Sequence, residues 1–342
     1  MKETAEQAKG PAAQVKGMEL RQEEQGQTEL KLTVDIIIPT YKPGKKFTKL
    51  LNMLERQTYP VNRILVVNTG EEYWEKNWEA QHPKLSVRHI RKEEFDHGAT
   101  RHLAVSLSDA DIFLCMTDDA VPHDSHLVER LAEGFSLRGP KGERPAMVYA
   151  RQLPDADCGA VERYTRTFNY PAESRVKTKA DLPVLGIKTY FGSNVCCAYD
   201  RKIYDELGGF IQRAIFNEDM IFAAGAIKNG YAVVYQAGAK VVHSHNYGCM
   251  QQFRRNFDLA VSQADHPEVF QGVRSEGEGI RLVKRTAVYL VKSGRPWLLF
   301  GLVVKSGFKY MGYLAGRRYR RLPKGLVRWC SSNRNYWKED GR

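Results

Sequence analysis

Four short strand-like runs constrain this chain more than any other feature. They are VDIIIP at residues 34–39, RILVVN at 63–68, LSVRHI at 85–90 and DIFLCM at 111–116. Each is too short for a helix and ends near loop-forming residues. Helix-patterned segments lie between and after them: up to about Gln57, at 99–108, and at 124–137. A fifth strand, AMVYAR, is expected at 146–151. Strands that alternate with helices are joined by crossovers, so the class is α/β, with a doubly wound, mostly parallel sheet flanked by helices. Such sheets bind ligands beyond the C-terminal ends of their strands, near the switch in strand order. The fourth run leads there into Asp118 and Asp119.

Downstream, residues 152–190 are polar and irregular, as a functional loop with some helix would be. Strand character returns at 192–200 and again at 231–236. Asn217, Glu218 and Asp219 open a helix that Gly230 closes, and an amphipathic helix is expected around 251–261. The formal charge of +12 is concentrated near the C-terminus. Residues 281–328 hold thirteen lysines and arginines and no acidic residue, so the rest of the chain is close to neutral. Three regions are expected: a flexible leader at 1–32, a main domain at 33–270, and a basic amphipathic helical region at 271–342. The six cysteines show no metal-binding spacing, and Cys115, Cys196 and Cys197, in apolar strand-like runs, read as buried thiols, which suits a reducing compartment. The N-terminus has no apolar signal core, and the longest apolar stretch, residues 296–304, is too short to span a bilayer. The expected location is cytoplasmic, at the inner face of the cell membrane. Residues 281–328 mix cations with Trp, Phe, Leu and Val, a composition suited to peripheral contact with an anionic membrane. No nucleic-acid recognition motif is present.

Two carboxylates at a strand end, Asp118 and Asp119, can hold a divalent cation such as Mg²⁺ or Mn²⁺ if other ligands complete the shell. They can equally cap a turn. His97, Gly98 and Arg101 precede and enter the helix that leads to this strand, where a helix N-terminus and a guanidinium favour a phosphate. Glu218 and Asp219 sit at a helix start, where acids serve as caps or as a general base. His243 and His245 have the i, i+2 spacing that puts both rings on one side of an extended segment.

The ordered pieces VDIIIPTYKPG, FDHGATRHLA, DIFLCMTDDAVP, FGSN, GGFIQRAIFNEDMIFAAGAIKNGY and HSHNY together resemble family 2 glycosyltransferases of the GT-A fold, in particular their bacterial rhamnosyltransferase-like branch. The resemblance covers residues 34–270. It implies an inverting transferase that moves a sugar, L-rhamnose from dTDP-rhamnose in the first instance, to a glycan or lipid-linked glycan acceptor in bacterial surface polysaccharide synthesis. It implies a nucleoside-diphosphate sugar held by Pro39, Thr40, Tyr41, Asn68, His97, Gly98, Arg101, Asp118, Gly192, Ser193 and Asn194. Asn68 and His102 stand where this branch more often has Asp and Asn. Asp119 and His245 would ligate the metal, Asp219 would be the catalytic base, and Glu218 would orient the acceptor or the helix.

Three other readings share these motifs. One is the same fold with a UDP-hexose or UDP-galactofuranose donor. A second is a non-catalytic membrane-bound scaffold, which would not need Asp119, Asp219 and His245 together. The third is a nucleotidyltransferase, which would carry a Gly-rich basic loop after the first strand; PTYKPGKK has one glycine.

Overall fold

In β1 (Val34–Tyr41), Ile36 and Ile38 enter one core and Ile37 the opposite one. Side chains alternate across a strand, so a sheet covered on both faces needs an unbroken apolar run, and this is what the sequence supplies. The structure, a computed structural model, describes residues 32–273 and 277–338. Apart from Leu32, the expected leader lies outside the described residues.

The strands after β1 are β2 (Arg63–Thr69), β3 (Leu85–Ile90), β4 (Ile112–Met116), β5 (Val121–Pro122), β6 (Pro145–Leu153), β7 (Arg175–Lys177), β8 (Cys196–Asp200) and β9 (Ala232–Val242). The helices are α1 (Lys45–Glu55), α2 (Asn77–Gln81), α3 (His97–Ser106), α4 (Leu127–Glu133), α5 (Ala160–Asn169), α6 (Leu182–Leu185), α7 (Arg201–Glu206), α8 (Glu218–Lys228), α9 (Cys249–Asp265), α10 (Pro267–Phe270), α11 (Glu278–Lys292), α12 (Leu298–Arg317) and α13 (Lys324–Cys330).

The sheet runs β3-β2-β1-β4-β8-β6-β9-β5, with β7 also paired to β9. Parallel ladders join β3, β2, β1 and β4, and a long one joins β6 to β9. They carry most of the residue pairing. β8 runs antiparallel between β4 and β6. The strand expected at 231–236 extends to Val242 as β9, whose register against β6 shifts between Ala150 and Arg151. The polar stretch 152–190 contains α5, β7 and α6.

Helix α1 buries Phe47, Leu50, Leu51 and Leu54, an i, i+3, i+4, i+7 stripe, on one face of the sheet. Helices α3 and α8 bury Ala104, Val105, Phe222 and Ala226 on the other. Cys115, Cys196 and Cys197 lie in these cores, and every cysteine is a free thiol.

The C-terminal helices pack onto the same body. On α12, Gly312 and Gly316 face α9 so closely that a Cβ on either would lie 2.2 Å or 2.3 Å from the carbonyl oxygens of Phe253 and Phe257. Helix α11 meets α5 through Tyr289 and Tyr164, stacked with centroids 4.7 Å apart, and Glu278 pairs with Lys188.

Candidate active site

Strand β4 ends at Met116, and Thr117–Ala120 form a tight turn in which the Ala120 amide donates to Thr117 at 3.1 Å. The turn throws Asp118 and Asp119 off the C-terminal edge of the sheet. It leads straight into β5, whose Val121 pairs with Val242 at the end of β9. That pairing brings the residues after β9 to Asp119, across more than a hundred positions of sequence. His243 Nε2 lies 3.5 Å from Asp119 Oδ1, and His245 Nε2 3.3 Å from Oδ2. Ligating atoms of Asp119, His243 and His245 all fall within 4.8 Å of one another.

The protonation of His243 follows from its neighbours. Gln152, near the end of β6, has one carboxamide atom that contacts both Arg166 and His243 Nδ1, the latter at 3.1 Å. Arginine only donates, so this atom must be the oxygen. Nδ1 of His243 therefore carries its proton, and Nε2 turns a lone pair toward Asp119. Burial lowers the pKa of His243 to about 3, with the negative Asp119 opposing, so the ring is neutral. Burial also lowers that of His245. A neutral ring nitrogen and a carboxylate oxygen facing one another both need a positive partner. The donor set thus fits a divalent cation. Asp118 stands beside it, its pKa raised to about 7 by burial and then by Asp119, with the Tyr41 backbone opposing.

On the other side of the cleft lies α8, entered through Asn217 in the left-handed conformation at φ 67°. Asp219, partly exposed, accepts from the Asn194 amide at 3.0 Å and the Met220 amide at 2.8 Å. Burial first, then the charge of Glu218, push its pKa up to about 7. Glu218 is buried; burial alone would raise its pKa, but Arg101 beside it outweighs this, and the net shift is downward. Arg101 Nη1 sits 3.0 Å from Glu218 Oε1, which also accepts from Asn194 Nδ2 at 3.0 Å. Arg101 was expected on the donor. Instead its guanidinium is buried against Glu218 and the His97 carbonyl, 2.9 Å away.

One hydrogen-bonded path joins the two sides. Gln152 donates to Ser193 Oγ at 3.0 Å while its oxygen meets His243, and the next residue, Asn194, donates to Asp219. Asp119, after the end of β4, and Asp219, bonded to Asn194 before the start of the antiparallel β8, therefore lie at the same edge of the sheet.

The expected nucleoside residues divide into wall and support. Tyr41 is exposed and meets Tyr73 edge-on at 5.8 Å, with Lys42 Nζ 4.5 Å from the Tyr73 ring. Two cavities open beside Tyr41. One, of about 530 Å³, reaches Thr69, Tyr73 and Lys92. The other, of about 570 Å³, reaches His97, Phe216, Tyr247 and Arg255. Pro39 is half-buried next to this wall, and Thr40 is buried. Asn68 is fully buried, and Thr40, Gly70 and His89 occupy its carboxamide, so it braces the wall from behind. Gly98 gives its space to the chain itself, since a Cβ there would lie 1.9 Å from the Ile211 carbonyl oxygen. Gly192 does likewise, toward Met147.

Sequence reasoning missed Gln152, Arg166 and Arg255. Arg255 lies over Phe216 at 4.7 Å, beside the second cavity. Gln152 and Arg166 sit in a polar stretch with no motif around them, so nothing local marks them.

Comparison with known proteins identifies the family. Residues 35–208 match the model of glycosyl transferase family 2. The O-antigen chain rhamnosyltransferase RfbN of Salmonella typhimurium is 36% identical over 310 residues, covering 90% of this chain and 96% of that protein. The O-antigen chain rhamnosyltransferase WbaN of Salmonella anatum is 33% identical over 307 residues, covering 88% and 95%. Among solved structures, the fold is similar to that of a mannosyltransferase of Pyrobaculum calidifontis in complex with GDP-Man and Mn²⁺. The TM-score is 0.50 at 16% identity, covering 91% of this chain and 86% of that one. The chain belongs to glycosyl transferase family 2 and is a glycosyltransferase of the GT-A fold.

Proposed function

We propose that this transferase moves L-rhamnose, with inversion, from dTDP-rhamnose to a glycan or lipid-linked glycan acceptor during synthesis of a bacterial surface polysaccharide. The observation that supports the reading is the path Asp119–His243–Gln152–Ser193/Asn194–Asp219, which links a cluster of possible metal ligands to a carboxylate of raised pKa at one edge of the sheet. The names of the two Salmonella relatives support rhamnose as the sugar.

In this reading Asp119, His243 and His245 hold the cation. Two imidazoles favour Mn²⁺ over Mg²⁺, which prefers an all-oxygen shell. The chemistry a cation supplies there is neutralisation of the charge on a departing diphosphate. Asp219 takes the proton of an acceptor hydroxyl, and that oxygen displaces the nucleoside diphosphate from the opposite face of the sugar. A base with a pKa near the working pH suits this role. The Asn194 and Met220 amides fix the direction of the Asp219 carboxylate. Glu218, neutralised by Arg101, positions Asn194. Tyr41 and Tyr73 offer apolar faces to the nucleoside, and Arg255 lines the cavity beside them.

A thermal-shift panel tests the donor. With Mn²⁺, dTDP-rhamnose should raise the melting temperature more than UDP-glucose or UDP-galactofuranose, because a ligand that binds only the native state stabilises it. EDTA or Asp119→Ala should remove the metal-dependent part. A larger shift with a UDP-sugar would replace the proposed donor. Release of pyrophosphate rather than dTDP would overturn sugar transfer.

A further inference from the structure

Most large apolar side chains exposed among the described residues lie between Ile280 and Trp329. On α12 they form one stripe, Phe300, Val303, Tyr310 and Leu314, at offsets 0, 3, 10 and 14 from the first, with Trp297 one turn ahead. Phe300 is 80% exposed and Trp297 71%. The other side packs on the body through Leu302, Gly312 and Gly316, the two glycines against α9, with Lys305 and Lys309 on the same side. The Phe300–Leu314 stripe is therefore a second, uncovered apolar face that water alone does not suit. Helix α11 adds Ile280, Val288 and Val291 to the exposed surface.

Charge identifies the occupant. Residues 281–328 carry thirteen cations and no acids; Arg281 and Arg320 pair with Glu278 and Asp265 and Lys309 lies toward Glu162, and the remaining cations leave the segment strongly basic. At the far end of the stripe, Arg317, Arg318 and Arg321 wall a hollow of about 1220 Å³ with Tyr313 and Leu314. Exposed aromatics and aliphatics ringed by cations match the boundary between acyl chains and anionic headgroups. A second copy of this chain is disfavoured, because the same basic surface would meet itself. No helix among the described residues is long and apolar enough to cross a membrane, so the contact is along the surface.

We infer that the α11–α12 face seats the enzyme on an anionic bilayer surface, with the Trp297–Leu314 stripe at the acyl boundary and the arginines at the phosphates. The same hairpin is fixed to α5 by Tyr289 and Tyr164 and to α9 by the glycines. Both partner helices border the cleft, through Arg166 and Arg255. Seating therefore fixes the site relative to the bilayer surface on which a lipid-linked acceptor would be held. That consequence rests on the transferase reading; the seating itself does not.

The test is sedimentation of the full chain with vesicles of phosphatidylcholine alone or mixed with phosphatidylglycerol. Binding should require the anionic lipid and fall steeply with salt. Phe300→Ser with Val303→Ser should weaken it by at least ~10-fold, since both lose apolar area that the acyl boundary would bury. Arg317→Glu with Arg318→Glu should do the same. Metal-dependent hydrolysis of donor in solution should be unchanged in both variants, which shows that they are folded and separates this result from failure of the catalytic reading. Equal binding of wild type and variants, or no binding to mixed vesicles, overturns the inference. So does a solution dimer that Phe300→Ser dissociates, which would give the face to a second copy.

Discussion

Nδ1 of His243 lies 3.1 Å from the Gln152 carboxamide oxygen, and that contact sets which nitrogen of the ring faces Asp119. Partners that orient a ligating histidine typically account for ~10–100-fold in metal affinity. Gln152→Leu keeps the bulk of the side chain but frees the ring to take either tautomer. The variant should bind Mn²⁺ about 10- to 100-fold more weakly, read by calorimetric titration, with an unchanged circular dichroism spectrum. Unchanged affinity would separate Gln152 from the metal cluster.

Asp219 should reveal itself in two opposite effects of one substitution. Asp219→Asn removes the base and should lower kcat by roughly 100- to 10,000-fold. Its folded-state pKa, about 7, lies above the ordinary 3.8. Folding therefore binds a proton between these values, and stability falls as pH rises through that window. The variant has no such group. Above pH 7 it should be more stable than wild type by up to about 4 kcal/mol, the full difference between 3.8 and about 7 at ~1.4 kcal/mol per unit, by urea unfolding at pH 8 and pH 5. A variant that is both inactive and less stable at pH 8 would contradict a desolvated carboxylate with no cationic partner.

For the wild type, kcat/KM should rise with pH through about 7 and reach a plateau, since Asp219 acts only when deprotonated. The kcat profile would flatten where product release limits turnover, so kcat/KM at low acceptor is the quantity to follow. A rate that falls across pH 6–8 would remove Asp219 as the base.

The parallel half of the sheet was legible because a strand buried on both faces must be apolar throughout, as Ile36, Ile37 and Ile38 show. The positions of Asp119, Asp219 and His245 were legible too, since each follows or opens an element at the edge where β4 and β9 end. The support of the site was not. Gln152 reaches His243 through the β6–β9 ladder, and its sequence surroundings carry no periodicity or motif. The role of Arg101 was hidden for a related reason. A guanidinium near a helix N-terminus looks like a phosphate ligand until the fold brings Glu218, more than a hundred residues away, to 3.0 Å. Glycines misled in the same way: Gly98 admits the backbone of Ile211, a neighbour the sequence does not announce.

The Arg101–Glu218 pair allows a test by double substitution. Both groups are buried, and removal of one partner leaves an uncompensated charge. Arg101→Met alone should destabilise the enzyme by about 3–5 kcal/mol. Arg101→Met with Glu218→Gln leaves neither charge and should recover most of that loss. Asn194 can still donate to the carboxamide oxygen introduced at position 218, so the recovered protein should keep some activity. Equal destabilisation in the single and double variants, measured by urea unfolding, would mean that the pair acts through packing rather than charge.

Helix α12 holds its place by close approach, and this gives the sharpest prediction outside the cleft. A Cβ on Gly312 would sit 2.2 Å from the Phe253 carbonyl oxygen, and one on Gly316 2.3 Å from that of Phe257. Neither oxygen can retreat, because each belongs to the backbone of α9. Gly312→Val must therefore push α12 outward and uncover apolar surface around Phe257 and Val261, which now form a small buried cluster. Overpacking of this kind costs about 1–3 kcal/mol. Gly307, on the same helix, has open space at its Cβ position. Gly307→Ala should be neutral or stabilising by several tenths of a kcal/mol, because alanine is the better helix former. Urea unfolding of the two variants side by side distinguishes a specific contact from a general effect of substitution in α12; equal behaviour would mean that α12 does not depend on the glycine contacts with α9.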